Sequence, residues 1–248
     1  MLRSIAERLS RGRAVRRSLP QVFGGCRMYV SMECGLRYWL GVERDNLLKN
    51  AVETVTPGNV VWDVGANMGL FSFAAAGLAG PEGRIYAFEP DTVLVSLLRR
   101  SSKLNPGAAP VETIPCAVSD VISLACFNIA ERSRASNFLE GFGLSQTGGV
   151  RERHIVFTVP LDWMAERIPP PDVLKIDVEG AELSVFRGAR RLLESKRPTV
   201  LFEAAGKGRA EIASLLWKLD YVLYDSDIPT ESRRPLTEPA YNTLAVPV

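Results

Sequence analysis

Residues 60–69 read VVWDVGANMG, and the reading of this stretch organises the rest of the chain. Val60–Val64 is a short apolar run around one acid, Asp63, as in a strand buried on both faces. Gly65, Ala66 and Asn67 form a turn, and Gly69 opens a helical segment running to Ala79. Gly65 permits the tight turn, and Gly69 lets the backbone approach a ligand at the helix N-terminus.

The same alternation continues downstream. Arg84–Phe88 (RIYAF) reads as a second strand and Thr92–Leu104 as a helix with Asp91 at its N-cap. Val111–Val118 reads as a third strand, Val173–Val178 (VLKIDV) as a fourth and Thr199–Glu203 (TVLFE) as a fifth. Ala181–Leu193 and Lys207–Leu219 read as helices. Upstream, Arg44–Val55 has helical spacing and stops at Thr56-Pro57-Gly58. Such alternation implies βαβ units and a mostly parallel sheet. Two segments depart from it. Leu124–Ile129 and Ile155–Val159 read as extra strands flanking a Ser-, Gly- and Arg-rich loop, Ala130–Arg153. Tyr221–Tyr224 and Thr243–Val246 read as strands with no helix between them, and so as an antiparallel hairpin.

The acids discriminate between ligands. G-x-G-x-x-G would need glycine where Asn67 and Leu70 stand, so the turn is a poor dinucleotide fingerprint. Asp63 would face a pyrophosphate as an uncompensated like charge. Glu89, 20 residues after Gly69, ends the second strand where a carboxylate can bond ribose hydroxyls. A cationic cofactor with a ribose and no phosphate suits both acids, which points to S-adenosylmethionine. In the fourth strand Lys175 needs a buried partner, and alternation sets Lys175, Asp177 and Glu179 on one side. Glu203 ends the next strand. Asp63, Glu89, Asp177 and Glu203 therefore gather at the carboxyl ends of four strands.

The runs Val61–Pro90, Val173–Leu192 and Thr199–Glu203 together resemble the FkbM family of S-adenosylmethionine-dependent methyltransferases, over about residues 36–248. The resemblance implies an α/β, three-layer Rossmann-like fold: a seven-stranded, mostly parallel sheet with an antiparallel C-terminal hairpin. An inserted hairpin and loop is expected at about 121–160. It implies O-methylation of a hydroxyl on a sugar, glycoconjugate or polyketide-type product, with S-adenosylhomocysteine as coproduct. Carried over by residue, it sets Asp63, Gly65, Ala66, Asn67 and Gly69 around the methionine moiety, Glu89 with Pro90 at the ribose, and Ser119 with Asp120 at the adenine. Asp177 faces the methyl group. Asp177 is then the first candidate for base or substrate-orienting carboxylate, with Glu179 and Glu203 second and Lys175 either catalytic or a structural ion-pair partner.

Other chemistries rank lower. Asp177 with Glu179 or Glu203 offers hard oxygen ligands for Mg²⁺, but no clear third ligand appears, so a metal-free route is preferred. An NAD(P)-dependent oxidoreductase is the alternative from another class, against which the missing glycines count, and a protein or lipid acceptor is the alternative within methyl transfer. His154, the sole histidine, sits at the rim of the loop. Arg132, Arg134, Arg151 and Arg153 in and beside that loop offer a grip for an anionic acceptor, or simply solvation.

Charge adds a separate question. The 248 residues carry a formal charge of +2, but residues 1–27 hold seven arginines and one acid, while the remainder is mildly acidic. An acidic body argues against a nucleic-acid groove. Residues 1–35 are expected as a basic, partly flexible extension. It reads as a solvated terminus, a transit-like segment, or a short amphipathic helix with Leu2, Ile5 and Leu9 on one face, touching an anionic membrane. Four cysteines without a CxxC pair fit reduced thiols and a cytoplasmic protein, at most peripheral to a membrane's inner face.

Overall fold

In the computed structural model, residues 13–34, 46–143, 147–204 and 208–248 are described. The main sheet has seven strands: β3 (Val60–Val64), β4 (Arg84–Phe88), β5 (Val111–Ile114), β10 (Val173–Ile176), β11 (Thr199–Glu203), β12 (Tyr221–Asp225) and β13 (Asn242–Pro247). Their order is β12-β13-β11-β10-β3-β4-β5. β11, β10, β3, β4 and β5 run parallel, and β13 lies antiparallel between β11 and β12. The expected α/β Rossmann-like sheet with its antiparallel C-terminal hairpin is what the chain forms. Val61, Trp62, Asp63, Leu174 and Val200 are fully buried, because both faces of these central strands are covered.

Helices flank the sheet on both sides. On one face, α1 (Asn46–Thr54), α2 (Leu70–Ala79) and α3 (Thr92–Ser102) share a core with Val61, Ile85 and Leu201. On the other, α4 (Leu161–Met164), α5 (Glu182–Arg187), α6 (Arg190–Ser195) and α7 (Arg209–Lys218) pack against Trp62, Leu174 and Val200. Strand order reverses between β10 and β3, so the carboxyl ends of these two strands open a crevice.

Several boundaries differ from the sequence reading. The third strand stops at Ile114; after Pro115, β6 (Ala117–Val118) joins a second sheet of order β6-β9-β7-β8. There β7 (Ser123–Ala130) pairs with β9 (Val150–Val159), and β8 is Phe138–Leu139. Both long strands exceed the expected segments, which shortens the loop between them. β9 begins with charged residues on an exposed face, so apolar patterning does not reveal its start. The single helix expected over Ala181–Leu193 is two helices broken at Gly188. A Cβ at Gly188 would lie 2.3 Å from the Ser119 carbonyl oxygen, and the Gly188 carbonyl accepts from Asp162 N (2.8 Å) instead of continuing a helix.

The basic extension is also corrected in part. β1 (Ala14–Ser18) and β2 (Arg27–Ser31) form an antiparallel hairpin. Met28, Val30 and Cys34 are buried in the same core as α2 and α3, so this part belongs to the folded body. Leu2, Ile5 and Leu9, and the expected helix starts at Arg44 and Lys207, lie outside the described residues. The four cysteines are free thiols. Among the described residues, no helix is long and apolar enough to cross a membrane.

Candidate active site

The turn after β3 is built by left-handed backbone. Gly65 (φ +73°), Asn67 (φ +54°) and Gly69 (φ +93°) all take positive φ. At Gly65 a Cβ would fall 1.8 Å from the Asp177 carbonyl oxygen, so only glycine lets this turn lie against the end of β10. At Gly69 a Cβ would meet Leu98 and Phe73 at 2.6 and 2.7 Å. Gly69 thus serves helix packing at the start of α2. Gly65 N and Ala66 N donate to Phe88 O, tying the turn to β4 (3.1 and 3.0 Å).

Lys175 and Asp63 are cross-strand neighbours on β10 and β3. Lys175 Nζ lies 3.1 Å from Asp63 Oδ1 and 3.6 Å from Asp177 Oδ2, and donates to Gly65 O at 2.8 Å. Asp63 Oδ2 accepts from the Ser72 hydroxyl at 2.6 Å. Burial acts to lower the Lys175 pKa, but Asp63 and Asp177 outweigh it and hold the ammonium charged, above its ordinary value. Asp63 is therefore not uncompensated: it is fully buried, borders none of the clefts described below, and pins Lys175, which pins the Gly65 turn. The argument that Asp63 repels a pyrophosphate falls with this pairing.

Glu89 is buried at the end of β4. Its Oε2 accepts from Asn67 N (2.8 Å) and its Oε1 from Asp91 N (2.9 Å), so one carboxylate shapes both loops and retains lone pairs toward the crevice. Burial raises its pKa to about 8. Asp91 caps α3 through Val93 N (2.9 Å) and also accepts from Asn137 Nδ2 (2.9 Å) and from Arg134. Arg134 in turn reaches Glu33 beyond β2. The insertion is thereby fastened over the crevice. Arg134 is consumed in this network, and Arg151 lies between Glu33 and Glu152, so neither offers the anion grip expected of the loop. His154 meets Glu152 (3.2 Å) and borders none of the clefts described below.

Three clefts meet at Asp177. One of about 570 Å³ is bordered by Gly65, Asn67, Glu89, Pro90 and Glu179, with Cys116–Val118 as its far wall. A second, of about 650 Å³, is bordered by Ala66, Asn67, Lys175, Glu179 and Glu203. The third, about 1030 Å³, lies between β10, β11 and the C-terminal loop, under Asn46 and Asn50 of α1. Asp177 borders all three. Ser119 and Asp120 border none. Asp120 is exposed, because the chain after β6 turns toward Gly188, whereas Cys116–Val118 line the first cleft.

Tyr241 is the site residue that sequence reasoning missed. It stands before β13 and borders the second and third clefts together with Glu203. Ala204 N donates to Tyr241 O (2.7 Å), which fixes it beside the end of β11. No motif marks it, since its position depends on the antiparallel insertion of β13. Burial and Asp177 raise the Glu203 pKa to about 7; burial, Asp177 and Glu203 raise that of Glu179 to about 8. Among the described residues, no group of three or more His, Cys, Asp or Glu is placed to hold a metal ion.

Residues 63–223 match the Methyltransferase FkbM domain. The chain is 28% identical over 174 residues to hexuronic acid methyltransferase AglP of Haloferax volcanii, covering 69% of this chain and 66% of that protein. It is 32% identical over 156 residues to methyltransferase sdnD of Sordaria araneosa, covering 51% and 58%. Methyltransferase FkbM from Methylobacillus flagellatus, a solved structure, aligns with a TM-score of 0.49 at 15% identity, covering 81% of this chain and 52% of that one. The matched region thus spans no more than about two thirds of these relatives' own length.

Proposed function

The chain belongs to the FkbM methyltransferase family, and from that premise we propose that it transfers a methyl group from S-adenosylmethionine to a hydroxyl of a sugar- or polyketide-type acceptor. The observation that carries this reading is the meeting of three acid-bordered clefts at Asp177. The residues present fit such a cofactor. Glu89 keeps acceptor capacity for ribose hydroxyls, and Asp177, where the clefts meet, offers a carboxylate to a sulfonium and an ammonium. Glu89, Pro90 and Cys116–Val118 would hold the nucleoside; Ala66, Asn67 and Glu179 would hold the amino-acid end. Bound there, the cofactor supplies an electrophilic methyl group.

The chain's own residues handle the acceptor and its proton. Lys175 balances Asp177 and Asp63 together, so Asp177 is best employed in orienting a hydroxyl. Glu203 has the better-matched basicity, with burial and Asp177 raising its carboxyl to about 7, and takes the proton as the acceptor oxygen attacks. This reverses the order of candidates drawn from the sequence, because Lys175, paired first with Asp63, also lies beside Asp177. Asn46 and Asn50, over the third cleft, add amide groups suited to a polyhydroxylated acceptor. The relative named for a hexuronic acid substrate supports a sugar.

Calorimetry with S-adenosylmethionine and NAD in parallel tests the cofactor, and transfer of labelled methyl to a panel of uronic acids, neutral glycosides and macrolide alcohols tests the acceptor. Binding of NAD without S-adenosylmethionine would overturn the reading.

A further inference from the structure

The basic residues are not confined to the N-terminal stretch. No acid occurs between Glu7 and Glu33, nor between Asp91 and Glu112, yet these two segments hold eight arginines and one lysine. The fold brings their described parts, residues 13–32 and 92–111, together. β2 lies along α3: Tyr29 N donates to Ser101 Oγ (2.8 Å), and Arg27 donates to Asn105 Oδ1 through its backbone (2.7 Å) and to Leu104 O through its side chain (2.6 Å). Met28 and Val30 point into the core, so Arg27 and Tyr29 lie on the opposite, outward face. Cross-strand register sets Arg16 beside Tyr29 on that face, and the Arg100 guanidinium stacks 4.2 Å from the Tyr29 ring centroid. On α3, Ser96, Arg99 and Arg100 are exposed, with exposed Lys103 at the helix C-cap.

We infer that this hairpin-and-helix face docks on an anionic lipid bilayer. The exposed guanidinium groups match a surface of phosphates. A polyanion such as RNA shares that chemistry, but the apolar residues interleaved with the charges favour lipid. Val93 is 41% exposed on α3. In the sequence, Leu2, Ile5 and Leu9 alternate with Arg3, Arg8 and Arg11 just before the hairpin, the composition of an interfacial segment. The inference does not depend on the methyl-transfer reading.

Deleting residues 1–27 cannot test it, because that removes β1 and uncovers Met28 and Val30. The informative variant is Arg16→Gln with Arg99→Gln and Lys103→Gln, three exposed positions outside the core and the crevice. Full-length protein is co-sedimented with phosphatidylcholine vesicles, with and without phosphatidylglycerol. The parent protein should bind only the anionic vesicles and release them at high salt. The triple variant should lose roughly a hundredfold in partitioning, about fivefold per charge, with an unchanged melting temperature. Equal binding to neutral vesicles, undiminished binding by the variant, no binding by the parent, or displacement from vesicles by a short RNA duplex would each overturn it.

Discussion

The Lys175 ammonium sits 3.1 Å from the Asp63 carboxylate, with both side chains buried on adjacent parallel strands. The same nitrogen reaches Gly65 O at 2.8 Å, so one buried cation joins two strands and the turn that borders the crevice. Its removal leaves a buried, unpaired carboxylate. Lys175→Met should therefore cost about 3–5 kcal/mol of stability and weaken cofactor binding, read by urea unfolding and calorimetry. A loss below about 1 kcal/mol would show that the pair is not what holds the turn.

Gly65→Ala tests the turn directly. The new methyl would meet the Asp177 carbonyl oxygen at 1.8 Å, at a φ of +73°. Strain of about 1–3 kcal/mol is expected from the backbone conformation alone, together with loss of cofactor binding. Unchanged binding would mean that the turn can move without harm.

Glu203→Gln should lower turnover about 10²–10⁴-fold while leaving cofactor affinity intact. The parent enzyme's rate should rise with pH through about 7, where the Glu203 carboxyl loses its proton, and the variant should lack that limb. If Asp177→Asn removes the limb and Glu203→Gln does not, the base is Asp177.

Glu89 and Asp120 separate two assignments of nucleoside contacts. Glu89 borders the crevice and holds two backbone amides, whereas Asp120 is exposed and borders none of the three clefts. Glu89→Ala should weaken cofactor binding by about tenfold or more, equivalent to about 1.4 kcal/mol. Asp120→Ala should leave it near the parent value. The opposite pattern would restore Asp120 to the adenine pocket.

Stability should fall as pH rises. Glu89 and Glu179 are raised from 4.5 to about 8, and Glu203 to about 7, chiefly by burial. Between pH 4.5 and 8 the folded chain retains protons that the unfolded chain has released, so this contribution is full below 4.5 and is lost toward 8. Urea midpoints of the ligand-free protein at pH 5, 6.5 and 8 would check it, and a midpoint that climbs over this range would contradict it.

What the sequence alone determined was local. Val60–Val64, the glycines of the following turn, the strand-end acids and the helix-free C-terminal strands are legible because periodicity and turn chemistry act between near neighbours in the chain. A mostly parallel sheet ending in an antiparallel hairpin followed from them. What only the tertiary structure decided was which charge meets which. Asp63 turned inward because β10 lies beside β3 and brings Lys175 into register. Tyr241 came to border the same clefts as Glu203 because β13 inserts beside β11. Arg134 reached Asp91, and the basic hairpin and α3 became one face, only once the insertion and the hairpin had packed. Pairings of this kind join residues dozens to more than a hundred positions apart. Each charge is selected by how far its partner relieves the cost of burial, a quantity set by three-dimensional proximity that no sequence interval encodes.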